Sequence, residues 1–324
     1  MKIWNLPLVE FIPFDELEEK HPVIIVTTVG AWEAVADDLD HLDITSRWVV
    51  NQATVHQWLN LTSQIQSSIA ALEPPMIYSV GGGLAVDAAK YIANGLNLPL
   101  TCLPTALSVD AFFTWASGVR QDGCVHYLET KAPERLIVDM DVLAIAPESI
   151  RAAGICDVLS IATGLWDWEL AAEKGKNPEG MELIPWVADA AQAILDGALE
   201  CAEAAGAGDE EGLKQLMDCL ALEVQLCNQI GHSRPEEGSE HYFAYAIESL
   251  MEKSLPHGDL VGPGILYMAE FQEQDSEALE AALQACHIPL ESLPEDRVGA
   301  TIQALPAYVR KHDLPYGIAH ELNQ

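Results

Sequence analysis

The first 150 residues alternate short apolar runs with amphipathic segments, and this alternation restricts the folds open to the chain more than any other feature. Five apolar runs predict buried strands, at residues 22–26, 47–50, 76–80, 98–103 and 136–139. Between them, residues 31–42, 55–72 and 85–96 have the apolar spacing of amphipathic helices. A repeated series of strand, helix and strand predicts an α/β fold with a mostly parallel sheet.

The pattern changes after Pro147, where candidate strands almost disappear. Eight segments predict helices, at residues 149–154, 157–173, 185–205, 210–230, 239–253, 260–274, 276–286 and 297–305. Asp209 and Asp275 precede acidic first turns, which is typical of helix N-termini because the helix dipole favours negative charge there. The sequence therefore predicts an α/β domain over residues 1–148 and an all-helical domain over residues 149–324.

The charge of the chain excludes whole classes of partner. With 50 acidic and 16 basic residues, its formal net charge is −34, which argues against nucleic acid and anionic membranes as partners. The seven cysteines form no CxxC pair, which is typical of a reducing compartment. The first twenty residues lack the apolar core of a secretion signal, and no apolar segment is long enough to span a membrane. We therefore expect a cytoplasmic protein.

Three glycines, Gly81, Gly82 and Gly83, directly follow the predicted strand at 76–80 and open the next helix. Glycine allows a diphosphate to approach backbone N–H groups at a helix N-terminus, where the partial positive charge favours an anion. The same run is also compatible with a tight turn that needs glycine for packing alone. It is not the GxGxxG fingerprint of an ordinary dinucleotide-binding half.

A second polar turn, Pro104–Ala111, follows the next predicted strand. The hydroxyls of Thr105 and Ser108 can bond to phosphate or ribose oxygens, and Asp110 places a carboxylate nearby. The alternative is that Ser108 only caps a helix.

Asp157, His241 and His257 are candidate metal ligands in the helical half. One carboxylate and two neutral imidazoles suit Zn²⁺ or Fe²⁺ and leave a coordination position open for a substrate oxygen. They are too far apart in sequence to match a local metal motif. Spacing alone favours ordinary buried or surface histidines.

Six blocks in one order resemble the iron-containing alcohol dehydrogenase and dehydroquinate synthase-like superfamily, and most closely its sn-glycerol-1-phosphate dehydrogenase branch. The resemblance covers roughly residues 20–275, and the last fifty residues match only loosely. The blocks are Gly81–Lys90, Pro104–Ala111, Lys131–Pro147, Gly154–Ser160, Ser233–His241 and His257–Gly262.

The resemblance implies an α/β nucleotide-binding domain, an all-helical metal- and substrate-binding domain, and a homodimer. It implies that Asp157, His241 and His257 hold one divalent metal, zinc or iron, and that Asp110 and Asp157 lie beside the substrate hydroxyls. It also implies that a set of residues in the first domain binds NAD or NADP. These are Gly81, Gly82, Gly83, Leu84, Ala85, Asp87, Thr105, Ala106, Leu107, Ser108 and Thr114.

Tyr245 is the main departure from that branch, which usually has a second, substrate-facing histidine at this position. Residues i and i+4 share a helix face, so Tyr245 is expected to face the same pocket as His241 and to act there as a catalytic residue. A phenol donates a hydrogen bond without carrying positive charge, which leaves open whether the substrate is phosphorylated. The first strand ends at Thr27 and Thr28 without an acid for the ribose, so NAD and NADP both stay open.

These features predict a metal-dependent NAD(P)-linked oxidoreductase that transfers hydride between the nicotinamide and a small polyol or polyol phosphate. One alternative is a dehydroquinate synthase-type lyase or cyclase, whose pattern has a Glu metal ligand where this chain has Asp157. That pattern also has several basic residues at the substrate, and this chain has few. The other alternative is a degenerate relative that binds nucleotide without turnover.

Overall fold

The structure is a computed structural model that describes residues 3–69, 74–251 and 254–322. The chain divides into two compact units. The first is Trp4–Pro147, and the second comprises Ile3 and the described residues from Glu148 to 322.

The first unit is an α/β structure, which confirms the predicted fold class. Its described strands are β1 (Leu8–Phe11), β2 (Val23–Thr27), β3 (Ile44–Val49), β4 (Met76–Val80), β5 (Leu100–Leu103), β6 (Ala116–Gln121), β7 (Cys124–Glu129) and β8 (Arg135–Val138). Its described α-helices are α1 (Val29–Val35), α2 (Val55–Ile69), α3 (Gly83–Leu96) and α4 (Met140–Ala144). Six strands form a parallel sheet in the order β1-β8-β5-β4-β2-β3, and β6 pairs with β7 as an antiparallel hairpin.

Four of the five predicted strands are buried along all or most of their length, whereas β3 alternates half-buried and exposed residues because it lies at the edge of the sheet. Every residue of β2 and β5 is buried, because helices cover both faces of a parallel sheet and such strands read as continuous apolar runs. The sequence analysis missed β1, β6 and β7. Strand β1 is exposed at both ends, and the β6–β7 hairpin carries many polar residues, so neither produces an apolar run.

Strand β2 lies between β3 and β4, so the chain crosses to one side of β2 for β3 and to the other side for β4. Such a switch point leaves a crevice at the carboxyl ends of the strands, where open α/β sheets bind ligands. The Thr27 hydroxyl donates to the Val80 carbonyl at 2.8 Å and joins the ends of β2 and β4. Gly81 follows immediately, so the sheet places the glycine turn at this crevice.

The second unit is helical, and the structure describes no strand in it between 148 and 322, which confirms that expectation. Its described α-helices are α5 (Glu148–Arg151), α6 (Ile155–Leu159), α7 (Ile161–Glu173), α8 (Pro185–Ala207), α9 (Glu210–Ile230), α10 (Ser239–Met251), α11 (His257–Phe271), α12 (Glu277–Ala285) and α13 (Glu295–Lys311). The helix predicted over 157–173 is divided at Ser160 into α6 and α7. Asp209 caps α9 as predicted, since its carboxylate accepts from the N–H groups of Glu211 and Gly212. The predicted helix ends at 70–72 and 252–253 lie outside the described residues.

Among the described helices, none combines the length and the apolar composition that crossing a membrane requires. All seven cysteines are free thiols.

Lys90 on α3 is fully buried and forms an ion pair with Asp87, whose Oδ1 lies 2.9 Å from the ammonium. The ammonium also donates to the Thr114 hydroxyl at 2.9 Å and to the carbonyls of Ala111 and Ala116. The other carboxylate oxygen of Asp87 accepts from the Gly118 N–H at 3.2 Å. The Asp-x-x-Lys spacing therefore ties α3 to the segment that leads into β6.

Replacing this cation tests its contribution to the α/β unit. In Lys90→Met, the Asp87 carboxylate loses its counter-charge and the carbonyls lose their donor. Removing one partner of a buried pair typically costs about 3–5 kcal/mol, so we expect a clear fall in the thermal unfolding midpoint. The double variant Asp87→Asn/Lys90→Met is expected to recover part of the loss. Unfolding of Lys90→Met at the wild-type temperature in circular dichroism would show that the pair contributes no stability.

Candidate active site

The glycine turn and the Pro104–Ala111 turn meet at the carboxyl ends of β4 and β5. Gly81 has φ +137°, a conformation that residues with side chains rarely adopt. A Cβ at Gly82 would lie 2.7 Å from the Ser108 hydroxyl oxygen. The two sequence blocks are thus in contact, and α3 presents its first backbone N–H groups beside them.

The predicted nucleotide-binding residues fall into four groups. Leu84, Ala85 and the glycines form the start of α3, while Thr105 and Ser108 are partly exposed after β5. Ala106 and Leu107 have buried side chains, which leaves their backbone as the part able to face a ligand. The side chains of Asp87 and Thr114 are bonded to Lys90. That these residues bind a nucleotide stays a prediction.

Gly82→Val tests the nucleotide prediction. The added side chain displaces the Ser108 hydroxyl and covers the backbone N–H groups at the start of α3. We expect NAD(H) or NADP(H) affinity to fall about tenfold or more, measured by calorimetry or nicotinamide fluorescence. Gly95→Ala on the same helix is the control, because its new Cβ would make an ordinary contact at 3.4 Å with Thr62. Unchanged nucleotide affinity in Gly82→Val would place the nucleotide elsewhere.

Asp157, His241 and His257 come together in the helical unit, with one ligand atom of each within 4.8 Å of the others. The His257 Nε2 lies 2.8 Å from the Asp157 Oδ1, and the His241 Nε2 lies 4.0 Å from the same oxygen. Ligands bonded to one zinc ion at about 2.0–2.2 Å can be at most about 4.4 Å apart, so only small side-chain shifts are needed. The donor set and its spacing therefore fit one divalent ion of the zinc or iron type.

Close helix packing holds the cluster together. Asp157 is on α6, His241 is on α10, and His257 is the first residue of α11. A Cβ at Gly258 would lie 3.2 Å from the Ala153 Cβ, and one at Gly262 would lie 2.5 Å from Ile288. These glycines let α11 approach its neighbours closely, which accounts for the His-Gly-x-x-Val-Gly block.

Glu240 holds His241 in position. It is fully buried, and its Oε1 lies 2.9 Å from the His241 Nδ1. The Gly238 N–H donates to the same oxygen at 2.6 Å, and the Thr163 hydroxyl donates to the other oxygen at 2.7 Å. Because Nδ1 is engaged, Nε2 is the ring atom available to a metal. Sequence reasoning missed this role, since Glu240 is one of three acids between 236 and 240.

The electrostatics around His241 favour a cation. Burial by itself lowers the pKa of this imidazole. The hydrogen bond and charge of Glu240, together with the charges of Glu237 and Asp157, outweigh burial and raise the pKa to about 9. A place in the protein that stabilises positive charge to this degree also suits a divalent metal ion.

Asp167 on α7 organises the surroundings of this cluster. Its buried carboxylate accepts from the N–H and hydroxyl of Ser239, from the Ile318 N–H and from the Gln272 amide. Burial, followed by the charge of Glu240, raises the pKa of Asp167 to about 6. A Cβ at Gly317 would overlap this carboxylate, so the C-terminal turn approaches closely.

Tyr245 lies beside His241, as the helix spacing predicts, with their ring centroids 6.1 Å apart. Its hydroxyl donates to Glu237 Oε1 at 2.7 Å, a contact that the sequence did not indicate. Asp110 begins a short 3-10 turn in the α/β unit and is partly exposed. The catalytic roles of Asp110, Asp157 and Tyr245 stay predictions.

Glu240→Gln tests whether this carboxylate orients a metal ligand. The amide keeps the size of the side chain but removes its charge and one acceptor for His241. Loss of such a partner typically costs about 10–100-fold in metal affinity, and we expect a reduction of that size in chelator competition. Glu270→Gln, an exposed change on α11, is the control. Wild-type zinc affinity in Glu240→Gln would contradict this role.

A glycine turn at the switch point of a parallel sheet, combined with a helical unit that gathers one aspartate and two histidines, defines the class of metal-dependent, nucleotide-linked dehydrogenases. Residues 15–147 match the family described as iron-containing alcohol dehydrogenase. The α/β unit of the chain is therefore similar to the iron-containing alcohol dehydrogenases.

Comparisons with individual proteins agree. A glycerol-1-phosphate dehydrogenase (NAD(P)+) of Saccharolobus islandicus is 26% identical over 285 residues, covering 87% of this chain and 79% of that protein. Its namesake in Sulfurisphaera tokodaii is 32% identical over 216 residues, covering 67% of this chain and 61% of that protein. The crystal structure of a probable glycerol dehydrogenase from Sinorhizobium meliloti 1021 aligns with a TM-score of 0.70 at 18% identity. That alignment covers 94% of this chain and 89% of the other, and it shows the shared fold.

Proposed function

We propose that this chain is a metal-dependent, NAD(P)-linked dehydrogenase that transfers hydride between the nicotinamide and a small polyol or polyol phosphate. The observation that carries the proposal is the convergence of Asp157, His241 and His257 within 4.8 Å, with Glu240 engaging the second nitrogen of His241. The names of the curated relatives include glycerol 1-phosphate and NAD(P)+, which supports an NAD(P)-linked enzyme that acts on a polyol or its phosphate.

The residues of the helical unit would hold zinc or iron and orient the substrate. A divalent ion held by the three ligands supplies Lewis acidity, which favours ionisation of an alcohol near neutral pH. Glu240 fixes the His241 ring, and Ser239, bonded to Asp167, fixes the start of α10. Tyr245 offers a hydroxyl for a substrate oxygen one helical turn from His241.

The start of α3 would bind the nucleotide diphosphate. Its N–H groups and the partial positive charge of the helix N-terminus suit an anion, and the glycine turn leaves room for it. Strand β2 ends at Thr27, whose hydroxyl donates to the Val80 carbonyl, and the next residue is Thr28. This strand end therefore has no acidic side chain to bond to the ribose 2′-hydroxyl and so select NAD over NADP. NAD and NADP are therefore both candidate cofactors.

We also propose a cytoplasmic location and a homodimer, with no nucleic acid or membrane partner. Seven free thiols support a reducing compartment, and a net charge of −34 argues against polyanionic partners. The homodimer rests on the family resemblance alone.

An assay with purified, metal-loaded protein tests the function. Oxidation of NADH or NADPH is followed by absorbance with dihydroxyacetone phosphate and with dihydroxyacetone, and we expect turnover with at least one pair. His257→Ala is expected to lose most bound metal and most activity together, because a catalytic site typically holds its ion with three protein ligands. His56→Ala, at an exposed position, is the control.

Two results would contradict the proposal. Full metal occupancy in His257→Ala would show that the cluster is not the metal site. Nucleotide binding without oxidation of NADH or NADPH by either carbonyl compound would favour a degenerate relative or a lyase of the dehydroquinate synthase type.

A further inference from the structure

A carboxylate and a phenol are paired next to the metal cluster. The Tyr245 hydroxyl donates to Glu237 Oε1 at 2.7 Å, and the Ser233 hydroxyl donates to Glu237 Oε2 at 2.6 Å. Tyr245 is 5% exposed, whereas Glu237 is partly exposed. Both donors are uncharged, so they fix the carboxylate in place without neutralising its negative charge.

The pair of Glu237 and Tyr245 lies beside the candidate metal cluster. The Tyr245 ring centroid is 6.1 Å from that of His241, one helical turn away on α10. The charge of Glu237 acts on His241 together with the charges of Glu240 and Asp157. A small substrate with one oxygen at the cluster therefore has its other substituents within range of Glu237.

We propose that Glu237 and Tyr245 determine substrate specificity by rejecting a phosphate ester and accepting an uncharged polyol or hydroxyketone. This inference rests on the proposed function. A phosphate dianion near the fixed carboxylate is repelled, whereas a hydroxyl group donates to it in a charge-assisted hydrogen bond. A histidine at position 245 would place a cation in this position, and a tyrosine cannot.

Two basic residues could offset this negative charge, and the nearer in sequence is Arg234. Its guanidinium is buried, donates to the Tyr316 carbonyl at 2.9 Å, and lowers the pKa of Asp167. Lys131, in the α/β unit, lies 2.5 Å from Glu134 and donates to the Leu98 carbonyl at 2.9 Å. Lys131 is thus paired with a carboxylate, whereas the Arg234 Nε and Nη1 atoms are buried and have no hydrogen-bond partner among the described residues.

The test compares kcat/KM for dihydroxyacetone and dihydroxyacetone phosphate in the wild type and in Glu237→Gln. The amide keeps an acceptor for a hydroxyl and removes only the charge. We expect the wild type to prefer the unphosphorylated compound by about tenfold or more, and Glu237→Gln to shift the ratio towards the phosphate by about tenfold. Glu237→Asp, which keeps the charge, is expected to retain the wild-type preference, and Glu270→Gln controls for the loss of an exposed charge.

Calorimetry provides a readout that does not depend on turnover. Binding of glycerol 1-phosphate to the protein with its nucleotide is expected to tighten about tenfold in Glu237→Gln, and further in Glu237→Gln/Tyr245→His. Turnover with a strong phosphate preference that Glu237→Gln leaves unchanged would overturn the inference while the proposed function stands. Absence of turnover with both compounds, combined with full metal loading, would contradict the proposed function and the inference with it.

Discussion

The carboxylate of Asp167 is buried where three segments of the helical unit meet, and the geometry of the candidate site depends on it. It receives hydrogen bonds from the start of α10, from Gln272 after α11 and from Ile318 in the C-terminal turn. An isolated buried carboxylate is costly, but one with several donors fixes every segment that supplies a donor. Ser239 is one of those donors, and His241 follows it by two residues. Asp167 thus fixes the position of the predicted metal ligand His241 without being a predicted ligand itself.

Negative charge is concentrated around the cluster in two layers. Asp157 is a predicted ligand, while Glu240 is held by Thr163 and a backbone N–H and faces the far side of the His241 ring. Asp167 lies beyond them, and burial together with the charge of Glu240 raises the pKa of Asp167. Like charges this close are tolerated because each has its own donors and because the arrangement suits a divalent cation. The buried carboxylates of this site need hydrogen-bond donors, whereas acidic residues on the surface are solvated by water. The net negative charge of the chain and the negative charge of this site therefore have different causes.

The sequence predicts some parts of this protein because their physics is local. Strands β2 and β5 are wholly buried, so they read as apolar runs, whereas the edge strand β1 and the β6–β7 hairpin do not. The three predicted metal ligands were identified through the resemblance, because residues on three different helices have no characteristic spacing in the sequence. Glu240 and Glu237 could not be distinguished among 50 acidic residues, since their roles arise from which atoms they face after folding. The Asp87–Lys90 spacing was visible, but its function as a buried ion pair became evident only with the carbonyls around it.

The last fifty residues resemble the superfamily only loosely, yet they supply contacts that the site uses. Ile288 lies against Gly262 on α11, and Gly317 and Ile318 lie against Asp167. The packing of the C-terminal segment is therefore coupled to the sequence blocks that carry the candidate site. A change of side-chain volume at position 288 or 317 has to be matched by a change on α11 or α7. In such an arrangement the divergent tail limits how far the well-matched blocks can vary. Exchange of the tail between relatives would disturb the candidate metal cluster, whose three predicted ligands lie outside the tail.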